Sequence, residues 1–444
     1  MKIGKFLQVK AGIIVLLNNT FLFRVNYRIS QPTTNLKVAT DIFLLNISGQ
    51  DRPGLTSSLT SVLAEYDAKI LDIGQANIHD TLSLGIMFEI KKGKKSSAVL
   101  KDLLFKAYEL GIKAKFTPIS LEDYENWVNQ QGKDRYIITI LGEKLAAEQI
   151  SEVTKIISEK NLNIDSIKRL TGRLSLVKKE EYPRASIQLS IRGKIGDKSD
   201  FTRKFMEISR ELDADIAFQE DNIFRRNRRL VCFDMDSTLI QTEVIDELAE
   251  LAGVGAQVKA ITESAMQGEI DFNESFKQRM KLLEGLSESV LQEVAERLPI
   301  TKGAKRLIDT LHYYGFKTAI LSGGFTYFGH YLQKKLDIDY VFANQLEIKD
   351  GVLTGGYLGD IVDGNKKAEY LQQLADEMGI DISQTIAVGD GANDLQMLNL
   401  AGLGIAFHAK PTVKDNAQSS ISSIGLDGVL YLLGYHDRHI DLLS

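Results

Sequence analysis

The sequence predicts an α/β protein: a parallel-sheet domain in the C-terminal half, preceded by two smaller α+β modules. Three observations predict it. The apolar run of residues 230–233 ends abruptly in two carboxylates, Asp234 and Asp236. Two later apolar runs end the same way, A-I-L in S-G-G (residues 319–324) and I-A-V in G-D-G-A-N-D (residues 386–394). Upstream, the order strand–helix–strand–strand–helix–strand occurs twice. Short apolar runs closed by polar loops suit buried parallel strands, and open α/β sheets bind ligands at the carboxyl ends of such strands.

Bulk properties narrow the function. A chain of 444 residues exceeds one ordinary core and predicts two or three domains. A net charge of -5 excludes a general nucleic-acid binder. The single cysteine, Cys232, excludes an intramolecular disulfide and a Cys-rich zinc site. It lies inside the strand before Asp234, so a packing role and a reducing cytoplasm are expected. Near the N-terminus, Lys2, Lys5 and Lys10 precede an apolar stretch, residues 11–17, that resembles a short signal-peptide core. Asn18, Asn19 and Thr20 interrupt it, and it is too short to span a bilayer. Residues 1–37 are expected to be a poorly ordered extension rather than a membrane anchor.

The first module is placed at residues 38–120. Strands are expected over 42–47, 70–78, 82–90 and 113–118, with helices over 55–66 and 97–110. Leu55, Leu59, Val62 and Leu63 fall on one face of the first helix. The second module is placed at residues 134–222. Its strands are expected over 136–141, 164–170, 184–192 and 215–218, and its helices over 146–160 and 199–212. Both follow the βαββαβ, ferredoxin-like order, which suggests an internal duplication. The polar residues 122–133 are expected to link them. The run R-R-N-R-R (residues 225–229) is expected to be a solvated linker into a third block, residues 228–440, rather than a nucleic-acid patch.

Four pieces of the third block supply what a phosphoryl-transfer site needs. Along a strand, residues i and i+2 face the same side, so Asp234 and Asp236 can share one crevice. Two acids this close repel unless a cation or a proton separates them, which asks for Mg²⁺ and for one acid that is at times protonated. Asp234 can attack phosphorus. Asp236 can protonate the leaving oxygen and then deprotonate the water that follows. Ser237 and Thr238 add hydroxyls. Ser322 can donate to phosphate, and Gly323 lets a backbone N–H approach closely. Ser322 as a hydrolase nucleophile is disfavoured, because Ile320 stands where the nucleophile-elbow pattern needs glycine. Lys367, at a predicted helix start, can neutralise phosphate charge. Asp390 is the candidate third metal ligand, Asn393 a further polar group, and Asp394 an orienter behind the ligands. Alone, G-D-G-x-N-D could be a plain turn; joined to the first piece it reads as a metal site.

These pieces, in this order, resemble the haloacid-dehalogenase-like phosphatases, and residues 230–440 are similar to the phosphoserine phosphatases among them. Glu243 follows nine residues after Asp234, and M-Q-G-E-I-D-F-N-E-S-F-K-Q-R (residues 266–279) resembles the family's cap segment. The resemblance implies a Rossmann-like core with a small helical cap at about residues 243–299. It implies Mg²⁺-dependent hydrolysis of O-phospho-L-serine, the last step of L-serine biosynthesis, through an aspartyl-phosphate. Mg²⁺ would be held by Asp234, the backbone C=O of Asp236 and Asp390. Arg279 would clamp the substrate carboxylate and Glu243 its ammonium, with Met266 and Phe272 as an apolar lid.

The two N-terminal modules resemble ACT domains, which are amino-acid-sensing units. In G-Q-D-R-P-G-L (residues 49–55), Asp51 can take an ammonium and the N–H groups near Gly54 a carboxylate; a capped turn is the plain alternative. The corresponding loop of the second module, G-E-K-L (residues 142–145), lacks D-x-P-G and is expected to pack rather than bind. The resemblance suggests feedback by L-serine and a homodimer. Two rival readings remain from the sequence: a phosphotransferase passing phosphate to another alcohol such as homoserine, and a non-catalytic amino-acid sensor.

Overall fold

The computed structural model describes residues 40–440 except 131, 133, 179–182 and 197, and it describes residues 94, 199 and 266 by backbone alone. The expected extension over residues 1–37 lies outside the described residues. The chain divides into two compact units, residues 1–131 and 132–444.

In the first unit, alternation of apolar and polar residues builds an antiparallel sheet. Its elements are β1 (Thr40–Gln50), α1 (Leu55–Glu65), β2 (Lys69–Ile78), β3 (Thr81–Lys91), α2 (Lys94–Glu109) and β4 (Lys113–Ile119). The strand order is β2-β3-β1-β4. Leu82, Leu84, Ile86, Phe88 and Ile90 alternate along β3 and are buried against Leu55, Leu59 and Leu63 of α1 and Val99 and Leu103 of α2. The stretch expected as a polar link contains a helix, α3 (Leu121–Val128). The Ser120 side chain caps it by accepting from the Asp123 N–H at 3.0 Å, and Glu122 and Asp123 stand at its positive end.

The second unit begins with the same order: β5 (Arg135–Gly142), α4 (Ala147–Glu159), β6 (Asn163–Arg169), β7 (Ala185–Arg192), α5 (Lys198–Glu211) and β8 (Asp215–Glu220). Its sheet runs β6-β7-β5-β8. The short helix α6 (Ile223–Arg226) then opens the basic run. The expectation of a solvated linker holds for the exposed Arg226, Asn227 and Arg229 but fails for the other two: Arg225 is 9% exposed against residues 432–434, and Arg228 is 5% exposed against Gln219 and Gly402.

The remaining elements are β9 (Leu230–Phe233), α7 (Val244–Leu251), α8 (Gly255–Met266), α9 (Phe272–Leu282), α10 (Ser289–Arg297), α11 (Ala304–Tyr313), β10 (Lys317–Phe325), α12 (Thr326–Leu336), β11 (Tyr340–Lys349), β12 (Val352–Leu358), α13 (Gly364–Glu377), β13 (Thr385–Gly389), α14 (Leu395–Leu400), β14 (Leu403–Phe407), α15 (Pro411–Asn416), β15 (Ser419–Ile421), α16 (Gly428–Leu432) and α17 (Asp437–Ile440). Among the described residues the strands form one sheet in the order β12-β11-β10-β9-β13-β14-β15, parallel except for the edge strand β12. The order reverses around β9, which places a crevice at its carboxyl end. All of β9, including the Cys232 thiol, is buried.

Helices α7 to α10 form a cap on a neck, where Ile240 bridges Ile300 and the Gln241 N–H donates to Pro299 C=O at 3.0 Å. A β11–β12 hairpin, turning at Asp350 and Gly351 with φ of 52° and 76°, braces the cap from the sheet side. There Gly285 N–H donates to Leu353 C=O at 2.8 Å, and Leu353 N–H to Leu286 C=O at 2.9 Å. Among the described residues no helix is long and apolar enough to cross a membrane.

Candidate active site

Leu230, Val231, Cys232 and Phe233 fix β9 between β10 and β13, so the chain leaves the sheet centre at Asp234. Asp234 N–H donates to Val388 C=O at 2.8 Å, and its Oδ1 accepts from Met235 N–H at 2.7 Å. The chain then turns tightly, closed by Ile240 N–H to Met235 C=O at 3.1 Å, with Ser237 at φ 54°. That turn brings Asp236 back toward the cap, where its Oδ1 accepts from Val244 N–H at 3.0 Å. Burial, with Glu243 and Asp234 nearby, raises the Asp236 carboxyl well above the usual range.

Lys367 joins the pieces. It is fully buried, and its Nζ lies 2.9 Å from Asp234 Oδ2 and 2.7 Å from Asp394 Oδ1. Burial alone would lower its pKa, but Asp234 and Asp394 outweigh it and hold it above the ordinary value. Asp394 Oδ2 accepts from Gly391 N–H at 2.9 Å, so both of its oxygens are engaged. Gly389 is required beneath it, since a Cβ there would lie 2.4 Å from the Asp394 carboxyl carbon. Asp390 is less committed: its Oδ1 accepts only from the Thr238 hydroxyl, at 3.4 Å. Burial first, then Asp394, Asp234 and Glu243, push it up to about 8.

Asp234, Asp390 and Asp394 each offer a carboxylate oxygen within 4.8 Å of the others. Lys367 ion-pairs with two of the three, Asp234 and Asp394. Three acids against one lysine, with hard oxygen donors, fit a divalent cation such as Mg²⁺. The Asp236 carboxylate is outside this cluster.

A cavity of about 900 Å³ joins the cluster to the cap. Asp234, Asp236 and Asp390 line one end, and Glu243, Phe272 and Arg279 the cap end. Glu243 accepts from the Ser237 hydroxyl at 2.8 Å, and burial raises its carboxyl. Burial lowers the Arg279 guanidinium, while Glu243, Asp246 and Asp236 counter that. Phe272 lies over the irregular end of β10, where a Cβ on Gly323 would be 2.9 Å from its ring. Gly323, Gly324 and Asn393 also line the cavity. Ser322 is fully buried beneath that stretch, its Oγ accepting from Gly324 N–H at 2.9 Å. The Met266 side chain lies outside the described residues.

Sequence reasoning missed several contributors. Asn344, at β11, donates to Gly323 C=O at 2.8 Å and accepts from Val362 N–H at 2.8 Å, pinning the glycine loop. No short-range signal marks it. Asp246 lines the cap end, one helical turn after Glu243, and Gln396 and Lys410 line the core side. In the N-terminal unit, Gly54 caps α1 with φ 89°, and the Asp51 carboxylate accepts from the Asn77 amide.

Known proteins carry the same arrangement. Residues 41–117 and 135–219 match ACT domains, and residues 231–399 match the haloacid dehalogenase-like hydrolases. A phosphoserine phosphatase of Mycobacterium tuberculosis is 37% identical over 392 residues, 88% of this chain and 92% of that protein. One from Haemophilus influenzae is 50% identical over 234 residues, covering 53% of this chain and 74% of its own. The crystal structure of a probable phosphoserine phosphatase from Vibrio cholerae superposes with a TM-score of 0.54 at 37% identity, covering 69% of this chain and 89% of that one. A HAD family hydrolase from Salmonella enterica serovar Typhi gives 0.57 at 31% identity, over 67% and 98%. With sequence, sheet order and site pointing the same way, the chain belongs to the phosphoserine phosphatases, haloacid dehalogenase-like hydrolases that here carry two N-terminal ACT domains.

Proposed function

We propose that the chain hydrolyses O-phospho-L-serine to L-serine and phosphate, with Mg²⁺ held by Asp234, Asp390 and the backbone C=O of Asp236. The single observation that carries this is the shared cavity: Glu243 and Arg279 face the same space as Asp234 and Asp390. Phosphoserine presents an ammonium, a carboxylate and a phosphate, and the cavity offers a partner of the right charge for each. Glu243 takes the ammonium and Arg279 the carboxylate as a fork. Gly323 and Asn393 receive phosphate oxygens, with Ser322 behind the loop and Lys367 holding Asp234 in place. Phe272 excludes water from the cap side.

A bound Mg²⁺ would neutralise phosphate charge so that an anionic nucleophile can approach. Asp234 attacks phosphorus, and the bond from phosphorus to the serine oxygen breaks. Asp236, whose carboxyl is raised by burial and by Glu243 and Asp234, gives that oxygen its proton. Asp236 then takes a proton from water, which attacks the aspartyl-phosphate and releases phosphate from Asp234. Asp394 takes the orienting role behind the ligands, with Oδ1 on Lys367 Nζ and Oδ2 on the Gly391 N–H.

Around this site the reading places one ACT-like domain at 38–120, a second at 134–222 and the phosphatase domain at 228–440, with the cap at about 243–299. It includes a cytoplasmic homodimer acting in L-serine biosynthesis, with L-serine sensed at the ACT domains through Asp51 and Gly54. Phosphate release from phosphoserine, with Mg²⁺ and with EDTA, tests the core of it. Activity is expected with Mg²⁺, loss with EDTA, and a fall on the order of 10³-fold or more in Asp234→Asn. Full activity in that variant removes Asp234 from the nucleophile role.

A further inference from the structure

A second cavity, of about 580 Å³, lies where the second ACT domain meets the phosphatase domain, and it shares no lining residue with the catalytic cavity. Its wall carries Arg135, Lys168, Arg225, Arg226 and Arg228 against one carboxylate, Asp221. Arg226 already holds Asp221 through two contacts, at 3.0 and 3.1 Å. The chain as a whole is acidic, with a net charge of -5, so composition does not account for this excess of cations.

Arg225 and Arg228 lie deepest. Each guanidinium has five N–H donors. Arg225 uses one, from Nη2 to Leu432 C=O at 3.4 Å. Arg228 uses two, to Gln219 Oε1 at 3.2 Å and Gly402 C=O at 3.4 Å. Neither Nε has a partner, nor does the Gln188 Nε2 on the same wall. Among the described residues no carboxylate pairs with either guanidinium. Burial and the neighbouring Arg225 push Arg228 down to about 9, and burial lowers Arg225. Asp221 partly offsets Arg225 but is itself held by Arg226, so two adjacent buried cations stay under-compensated, and an anion between them removes that cost. Gly434 keeps the space open: at φ +86°, a Cβ there would lie 3.3 Å from Arg225 Nη2 and 3.6 Å from Gln188 Nε2.

We propose that this cavity binds a phosphate-type dianion between Arg225 and Arg228, with the exposed Arg135 and Lys168 at its mouth. Guanidinium forks match phosphate oxygens, and the terminal Nη groups of the two arginines supply the donors. The ligand is inorganic phosphate or the phosphate group of a small phosphorylated metabolite. The occupant would bridge β8, through Gln219 and Arg228, to the segment that feeds β9 and Asp234. This proposal does not depend on which phosphate ester the catalytic site cleaves.

The test is the melting temperature of the full chain in EDTA, titrated with inorganic phosphate against chloride at equal ionic strength. Phosphate is expected to raise it by roughly 2–4 °C at saturation. In an Arg135→Ala/Lys168→Ala double variant, the half-saturating phosphate concentration is expected to rise about ten-fold while phosphoserine turnover is unchanged. In Arg228→Gln the phosphate-specific rise is expected to vanish apart from any contribution of the catalytic site. Titration with AMP separates the sources: tighter half-saturation than phosphate assigns the site to a phosphorylated metabolite, and weaker assigns it to free phosphate. An equal response to phosphate in native and variant chains, or none beyond chloride, overturns the proposal. Should Arg228→Gln not fold, the exposed double variant decides alone.

Discussion

Lys367 shows how much one side chain can organise. It is fully buried, yet charged, because Asp234 and Asp394 both touch it. Its position at a helix start and the acids around it were readable from the sequence, since phosphoryl transfer demands those residue types at strand ends. Arg279 makes the sharpest residue-level prediction. Only a substrate with an α-carboxylate can use its fork. Arg279→Ala is therefore expected to cut kcat/KM for phosphoserine by roughly 10- to 100-fold, the worth of a charge-assisted hydrogen bond, and to leave p-nitrophenyl phosphate nearly untouched. Equal losses on both esters would place Arg279 in the cap's architecture and not against substrate. Arg225 and Arg228 were unreadable in the same way that Lys367 was readable. Arg225 is buried by residues 432–434 and Arg228 contacts Gly402, all far along the chain, and nothing local in R-R-N-R-R announces it.

At the scale of elements, the βαββαβ order was visible twice because alternation and amphipathic spacing are local properties. The helix α3 was overlooked although Ser120 and Asp123 form its capping pair. The β11–β12 hairpin also carried a local sign, Asp350-Gly351, both at positive φ as a tight hairpin turn prefers. What no pattern could show is that this hairpin bonds to the cap, since that contact joins Leu353 to Gly285 and Leu286. Asn344 ties β11 to the glycine loop by two hydrogen bonds. Asn344→Ala strands the Gly323 C=O and the Val362 N–H, so a stability loss of about 1–3 kcal/mol is expected in denaturant unfolding, with a fall in kcat. Unchanged stability together with unchanged kcat would show that the loop holds its shape without it.

Across the whole C-terminal unit, polar contacts bind the second ACT domain to the phosphatase domain. Asp215 accepts from the Ser422 and Ser423 N–H groups, Arg184 pairs with Asp427, and Asp437 accepts from Gly172 N–H, Arg306 and the Tyr431 hydroxyl. Burial alone would raise the Asp437 carboxyl, but Tyr431, Gly172 and Arg306 outweigh it and hold it below the usual range. A depressed folded-state pKa means that its stabilisation is present above the ordinary carboxylate value, about 4, and is lost as pH falls through the lower folded value. Asp437→Asn is therefore expected to cost about 1.5–3 kcal/mol at pH 7, with the gap to the native chain closing in acid. A gap that stays constant from pH 7 to pH 3 would contradict this.

One thiol sits in β9, the strand that ends at Asp234. Cys232 is the chain's only cysteine, it has no solvent exposure, and burial raises its pKa. Alkylating reagents need an accessible thiolate. Covalent labelling of this protein thus becomes a clock for the central sheet: each modified molecule records one occasion on which β9 came out of its neighbours' grip.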